Sequence, residues 1–161
     1  MFFLIAALND LDVWAADIKN AYLTALIKVK YYIVVTPDLG LDEEWNGKSC
    51  KVVRALYGLP VAGASFREYL AKHLGELGYV PCKADRDVHL RPFERNGEKL
   101  YQIAVCYVDD ILVSGMCPQD QLKEIATRFE LKKGSVEKPS TYLGADIEEV
   151  QIMGNDGSPK T

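Results

Sequence analysis

A chain of 161 residues is long enough for one domain with a real hydrophobic core. Its 48% hydrophobic and 26% charged residues are ordinary for a soluble globular fold and exclude a low-complexity chain. The net charge of -4 excludes a bulk cationic surface, so phosphates would have to be met by local cations such as Lys132 and Lys133.

The opening Met1-Phe2-Phe3-Leu4-Ile5-Ala6-Ala7-Leu8 is apolar but far below the roughly 20 residues needed to span a bilayer. No Lys or Arg precedes Lys19, so the basic region of a signal peptide is missing. The expectation is the end of a buried helix with more chain upstream, and no membrane partner. Residues 13–18 read as a buried strand ending at Asp17, and 20–26 as a short helix or turn. Residues 31–35 are β-branched and aromatic, hence a strand. A loop over 36–48 and a short strand over 50–54 follow. Phe66, Tyr69, Leu70, His73, Leu74 and Leu77 recur at helical spacing, and Gly78 closes that helix. His73 on this stripe reads as a core histidine, and Asp85 and Asp87 as loop-capping acids rather than metal ligands. Residues 88–93 and 100–108 read as strands joined by the turn Arg95-Asn96-Gly97-Glu98. Leu122, Ile125, Ala126 and Phe129 mark a second amphipathic helix with Pro118 near its start. Residues 142–150 read as a final strand, and 151–161 as a disordered tail beyond a domain spanning 1–150.

The order is strand, helix, hairpin, helix, strand. This is a split βαβ arrangement of the α+β class, an antiparallel sheet with two helices on one face. The first strand then lies beside the central hairpin, so Asp17 approaches Asp109-Asp110. The four cysteines, Cys50, Cys82, Cys106 and Cys117, form no C-x-x-C pair, and two histidines cannot complete a zinc pattern. Buried free thiols are expected, in a reducing intracellular compartment, cytoplasmic or nuclear.

Tyr107-Val108-Asp109-Asp110 is the most informative segment. A two-residue hairpin turn favours Asn-Gly or Asp-Gly, and Asp-Asp lacks the glycine. Two carboxylates about 4 Å apart repel by roughly 1 kcal/mol in water and about 4 at an effective dielectric of 20. A divalent cation reverses that cost, and metal with paired carboxylates suits phosphoryl transfer. Taken singly, Asp17 reads better as a helix N-cap, and Asp109-Asp110 equally well as a polar hairpin tip.

Five blocks in order resemble the reverse transcriptases of copia-type LTR retrotransposons. They are Asp17-Ile18-Lys19-Asn20-Ala21-Tyr22-Leu23, Ala55-Leu56-Tyr57-Gly58-Leu59, Leu77-Gly78-Tyr79 with Lys83-Ala84-Asp85, Tyr107-Val108-Asp109-Asp110, and Tyr142-Leu143-Gly144 with Asp146-Ile147-Glu148. The resemblance implies a polymerase palm with partial fingers, acting as an RNA-directed DNA polymerase. Its implied catalytic and metal-binding residues are Asp17, Asp109 and Asp110, with Asp17 and Asp109 holding two Mg²⁺ ions (Mn²⁺ as substitute) and Asp110 supporting the turn. Tyr22, Ile18 and Tyr107 are implied at the substrate, Tyr22 as an aromatic gate against a 2′-hydroxyl. Tyr142, Leu143 and Gly144 are implied in the primer grip. The implied partners are an RNA template, a DNA primer, deoxynucleoside triphosphates, and the remaining fingers, thumb and ribonuclease H regions of a longer polyprotein.

The chain departs from the family at Val61, where a polar nucleotide-contacting residue is usual, and in lacking the cationic fingers and everything past the primer grip. Two other readings follow: a catalytically inactive genomic remnant of such a domain, or a single-stranded RNA-binding module on a split βαβ sheet. The last needs exposed aromatics on the sheet, and no aromatic-Gly-aromatic motif supplies them.

Overall fold

The computed structural model describes residues 1–95, 97–148, 150, 152–153 and 159–160. The chain divides into two units, one of residues 1–19 and 73–161 and one of residues 20–72. Mixed helix and antiparallel sheet place the protein in the α+β class, as expected.

The first unit begins with helix α1 (Phe2–Leu8) and strand β1 (Asp12–Asp17). After the last turn of helix α3 (Ala62–Glu76) come strands β4 (Val80–Pro81), β5 (Val88–Arg95), β6 (Glu98–Tyr107) and β7 (Asp110–Gly115), then helix α4 (Pro118–Ala126). The strands form one antiparallel sheet in the order β1-β7-β6-β5-β4. The first strand therefore lies beside the central hairpin, as the sequence predicts.

Strand β7 carries Ile111, Leu112 and Val113, all at most 1% exposed, with both its neighbours hydrogen-bonded to it. Burying each such side chain contributes about 1.5–3 kcal/mol, which makes β7 the spine of the sheet. Helix α4 packs on β1 and β7 through Leu122 and Ile125, with Phe129 just beyond its end. Pro118 stands in the first turn, where a missing N–H costs nothing. The expected stripe is corrected at one place: Ala126 is exposed, and Gln121 is buried instead. Gln121 accepts a 2.7 Å hydrogen bond from the Tyr79 hydroxyl and donates to the Ser114 carbonyl, so its polar end is satisfied. Arg91 lies over the Tyr79 ring and donates to Gln102, the Leu77 carbonyl and Glu124.

In the second unit, helix α2 (Ala21–Thr24) precedes strand β2 (Leu26–Val34), and β3 (Ser49–Arg54) pairs antiparallel with β2. The 36–48 loop contains two 3₁₀ turns, Pro37–Leu39 and Glu43–Trp45. Arg54 donates to the Leu23 and Thr24 carbonyls, satisfying acceptors at the α2 C-terminus. The stripe of α3 buries Phe66, Leu70, His73 and Leu74, as its periodicity requires.

Several expectations are corrected. Helix α1 buries only Ala6, and Leu4, Ile5 and Leu8 are exposed, because a two-turn helix that is apolar all round can press one face against β1. Strand β1 is half-buried for most of its length, with Ala16 its one fully buried residue. The final strand over 142–150 is instead a tight hairpin of β8 (Thr141–Tyr142) and β9 (Ala145–Asp146). Its central residues Leu143 and Gly144 have φ of 50° and 79°, the type I′ pattern that reverses a chain in two residues. All four cysteines are free, but only Cys106 is buried; Cys50 and Cys82 are half-buried and Cys117 exposed. Burial pushes the Cys106 thiol up to about 12. His73 is buried edge-on to Phe129, yet neither ring nitrogen is hydrogen-bonded, and its Nδ1 lies 3.9 Å from Glu76. Of the expected turn at 95–98, Arg95 and Glu98 pair across the strands, and Asn96 lies outside the described residues. The expected tail at 151–161 also falls largely outside them; within it, β10 (Ile152–Met153) and β11 (Pro159–Lys160) pair antiparallel. No helix among the described residues is long and apolar enough to cross a membrane.

Candidate active site

The register of the sheet brings Asp17 directly opposite Asp110 across β1 and β7. Asp17 sends its peptide N–H to the Ser135 hydroxyl and its carbonyl accepts from the Lys132 N–H, both away from β7. Asp17 and Asp110 are thus a non-hydrogen-bonded pair, the class in which opposed side chains stand closest, with Cα atoms typically ~4.5 Å apart. The Asp110 carboxyl is raised above the ordinary carboxylate range by burial, by a hydrogen bond with Asp17, and by the charges of Asp17 and Asp109. Lys132 pulls it the other way, and its ammonium lies 3.4 Å from Asp17 Oδ2.

The turn between β6 and β7 carries Val108 and Asp109. Of the two, only Val108 has a positive φ, 55°, the sign that a type II′ turn requires at its first central position. That position normally takes glycine, and a β-branched residue there is strained. The misfit of this turn to ordinary hairpin chemistry thus falls on Val108, not on the aspartates. The Asp109 carbonyl accepts a 2.7 Å hydrogen bond from the Ile18 N–H, which ties the turn to the end of β1.

A cleft of about 360 Å³ opens beside these carboxylates. Asp17 and Asp110 line it from the sheet; residues 132–135 and Tyr142-Leu143 line it from the returning chain. The Tyr142 hydroxyl is buried without a hydrogen-bond partner, and burial with the nearby Asp110 charge pushes the phenol up to about 12. Leu143 and Gly144 form the turn of the β8–β9 hairpin.

Ile18 is 2% exposed, so it presents its backbone rather than its side chain. Tyr107 is exposed and pairs with Asp110 at the mouth of the hairpin. Tyr22 belongs to the other unit, where its half-buried ring leans on Tyr57 at 4.7 Å and meets Phe66 edge-on. Asp17 does not cap a helix, since α2 starts from Asn20. Asp85 accepts from the Asp87 N–H, a loop role, as expected. Lys132 and Lys133 lie beyond α4 on the stretch that runs along β1. Ser135 was not legible as a site residue; Gly134, which signals a turn after the two lysines, was the available cue.

The motifs imply divalent ions. Asp17 and Asp110 fit: they offer only oxygen, and their mutual repulsion is what a hard cation relieves. Mg²⁺ takes one or two carboxylates and fills its remaining positions with water and substrate phosphates. Among the described residues no three His, Cys, Asp or Glu side chains gather within reach of one ion, and the Asp109 charge adds to the repulsion at Asp110.

The chain thus carries paired acids at the head of the central hairpin of an antiparallel sheet. The family model described as "Reverse transcriptase (RNA-dependent DNA polymerase)" matches residues 1–155. The retrovirus-related Pol polyprotein from transposon RE1 of Arabidopsis thaliana is 28% identical over 137 residues, which is 83% of this chain. The chain spans 9% of the length of that relative. The chain belongs to the reverse transcriptase (RNA-dependent DNA polymerase) family, as a region of the copia-type retrotransposon kind.

Proposed function

We propose that the chain is the palm of an RNA-directed DNA polymerase, a split βαβ sheet that adds deoxynucleotides to a primer 3′-hydroxyl as part of a longer Pol polyprotein. The observation that carries this reading is the cross-strand pair of Asp17 and Asp110 with Asp109 in the adjoining turn. In this reading Asp17, Asp109 and Asp110 bind divalent metal. Two bound ions supply charge neutralisation at the transferring phosphate and activation of the attacking oxygen. The carboxylates hold that charge at the head of a strained, tied-down turn, so little reorganisation is needed when substrate arrives. Lys132 and Lys133, lining the same cleft, offer cations to phosphate oxygens. Tyr142, Leu143 and Gly144 grip the primer terminus from the turn of the β8–β9 hairpin. Tyr22 is assigned to the sugar gate, with Ile18 and Tyr107 at the substrate. The bracing of Tyr22 by Tyr57 and Phe66 suits a ring that must not yield to a 2′-hydroxyl. RNA template, DNA primer and deoxynucleoside triphosphates are the partners this chemistry requires.

The test is primer extension on an RNA template by the chain joined to the rest of its polyprotein, with Mg²⁺ or Mn²⁺. Deoxynucleotide incorporation is expected, and Asp17→Asn or Asp109→Asn should lower it at least about a hundredfold. No incorporation by the completed polyprotein would identify this copy as an inactive remnant.

A further inference from the structure

The edge of β1 that faces away from β7 is covered by residues 130–137, which run along it as a strap. The Lys19 N–H bonds the Glu130 carbonyl at 2.8 Å, and Ala15 exchanges bonds with Glu137 in both directions. Two bridges frame the strap, Ile18 with Leu131 and Ala15 with Glu137. Between them β1 advances three residues while the strap advances six, so the strap cannot keep a regular ladder there. The excess is folded into a turn in which the Ser135 N–H bonds the Lys132 carbonyl at 3.1 Å and Gly134 has a φ of 80°.

The slip falls on Asp17. In a regular ladder a backbone carbonyl would accept from its N–H, but the turn has carried the strap backbone away. The Ser135 hydroxyl takes that place: it accepts from the Asp17 N–H at 2.9 Å and donates to the Lys132 carbonyl at 2.9 Å. The Lys132 N–H closes the ring on the Asp17 carbonyl at 2.8 Å. Both backbone groups of Asp17 are thus fixed by one four-residue turn, and one of the two bonds depends on a side chain.

We infer that Ser135 is a positioning residue for the Asp17 carboxylate, its hydroxyl replacing a missing ladder bond and so fixing how Asp17 faces Asp110. The inference rests on the reading of Asp17 as a metal-binding carboxylate. Alanine at 135 leaves the Asp17 N–H without an acceptor, whereas threonine keeps the hydroxyl.

The experiment uses the whole chain and its Ser135→Ala, Ser135→Thr and Asp17→Asn variants. Amide exchange is followed residue by residue by NMR, and Mn²⁺ binding by electron paramagnetic resonance. Ser135→Ala should speed exchange of the Asp17 amide about tenfold while the Leu112 amide keeps its protection. It should weaken Mn²⁺ binding roughly tenfold, as loss of an outer-shell support does. Ser135→Thr should restore both. Wild-type Asp17 exchange in Ser135→Ala, or wild-type Mn²⁺ affinity despite faster exchange, overturns the inference. A Mn²⁺ site that survives Asp17→Asn overturns the metal reading instead and takes the carboxylate role of Ser135 with it, whatever the exchange data give.

Discussion

The two edges of β1 are held in different ways. Toward β7 it makes a regular antiparallel ladder over six residue pairs, Asp12 with Gly115 through Asp17 with Asp110. Toward the strap it has two isolated bridges, a slipped register and a serine hydroxyl in place of a carbonyl. The ladder is enforced by burial, because Ile111, Leu112 and Val113 are all buried and β7 is hydrogen-bonded along both edges. The strap edge is enforced by local turn chemistry. The lesson is a division of labour: the ladder decides which acids meet, and the strap decides how one of them is held.

The comparison breaks first on the ladder side. Leu112 is 1% exposed opposite Ala15, and Leu112→Ala should destabilise the chain by about 2–5 kcal/mol in urea unfolding. A loss below about 1 kcal/mol would mean that β7 is not the spine and that the two edges matter alike.

Next comes the charge the ladder brings together. Asp110 is raised in the folded state, so folding takes up a proton between the ordinary carboxylate pKa and the raised one. Wild-type stability from this group is therefore fullest below the ordinary range and is lost as pH rises through the raised value. Without metal at neutral pH, Asp110→Asn should stabilise the chain by about 1 kcal/mol, roughly 2–4 °C in Tm. The gain should shrink on acidification and reverse in sign when saturating Mn²⁺ is added. A pH-independent difference would remove Asp17–Asp110 repulsion from the account.

The smallest effect is at the turn. Val108→Gly removes the left-handed strain of a β-branched residue but adds chain entropy, so a gain of about 0.5 kcal/mol is expected by thermal unfolding. A clear loss would mean that the Val108 side chain contributes contacts that outweigh its strain.

Much of the fold was legible because its signals are local. Phe66, Leu70, His73 and Leu74 share one helical face whatever surrounds them, and the apolar run around Ile111 admits little but a buried strand. The failures have local reasons too. Residues 142–150 alternate like a strand, but Gly144 after Leu143 permits a two-residue reversal that the alternation conceals. The apolar α1 reads as core, yet a helix of seven residues offers one narrow face. Gln121 lies outside the apolar stripe, and the Tyr79 hydroxyl, 42 positions away, with the Ser114 carbonyl makes its burial tolerable. Of the candidate site, the three aspartates were visible as residue types in family order. Ser135 was not, since a serine after Gly134 is ordinary turn chemistry until Asp17 is set beside it.

The sequence by itself determined the family and offered the acids of the candidate site. Motif residues and short-range periodicity are properties of the chain, and five ordered blocks do not recur by chance. Only the tertiary structure decided that Asp17 meets Asp110 across a non-hydrogen-bonded pair, that the turn strain rests on Val108, and that Ser135 holds Asp17. These are matters of register between segments some 90 to 120 residues apart. Register is set by which side chains can be buried together, and that choice exists only once the sheet has formed.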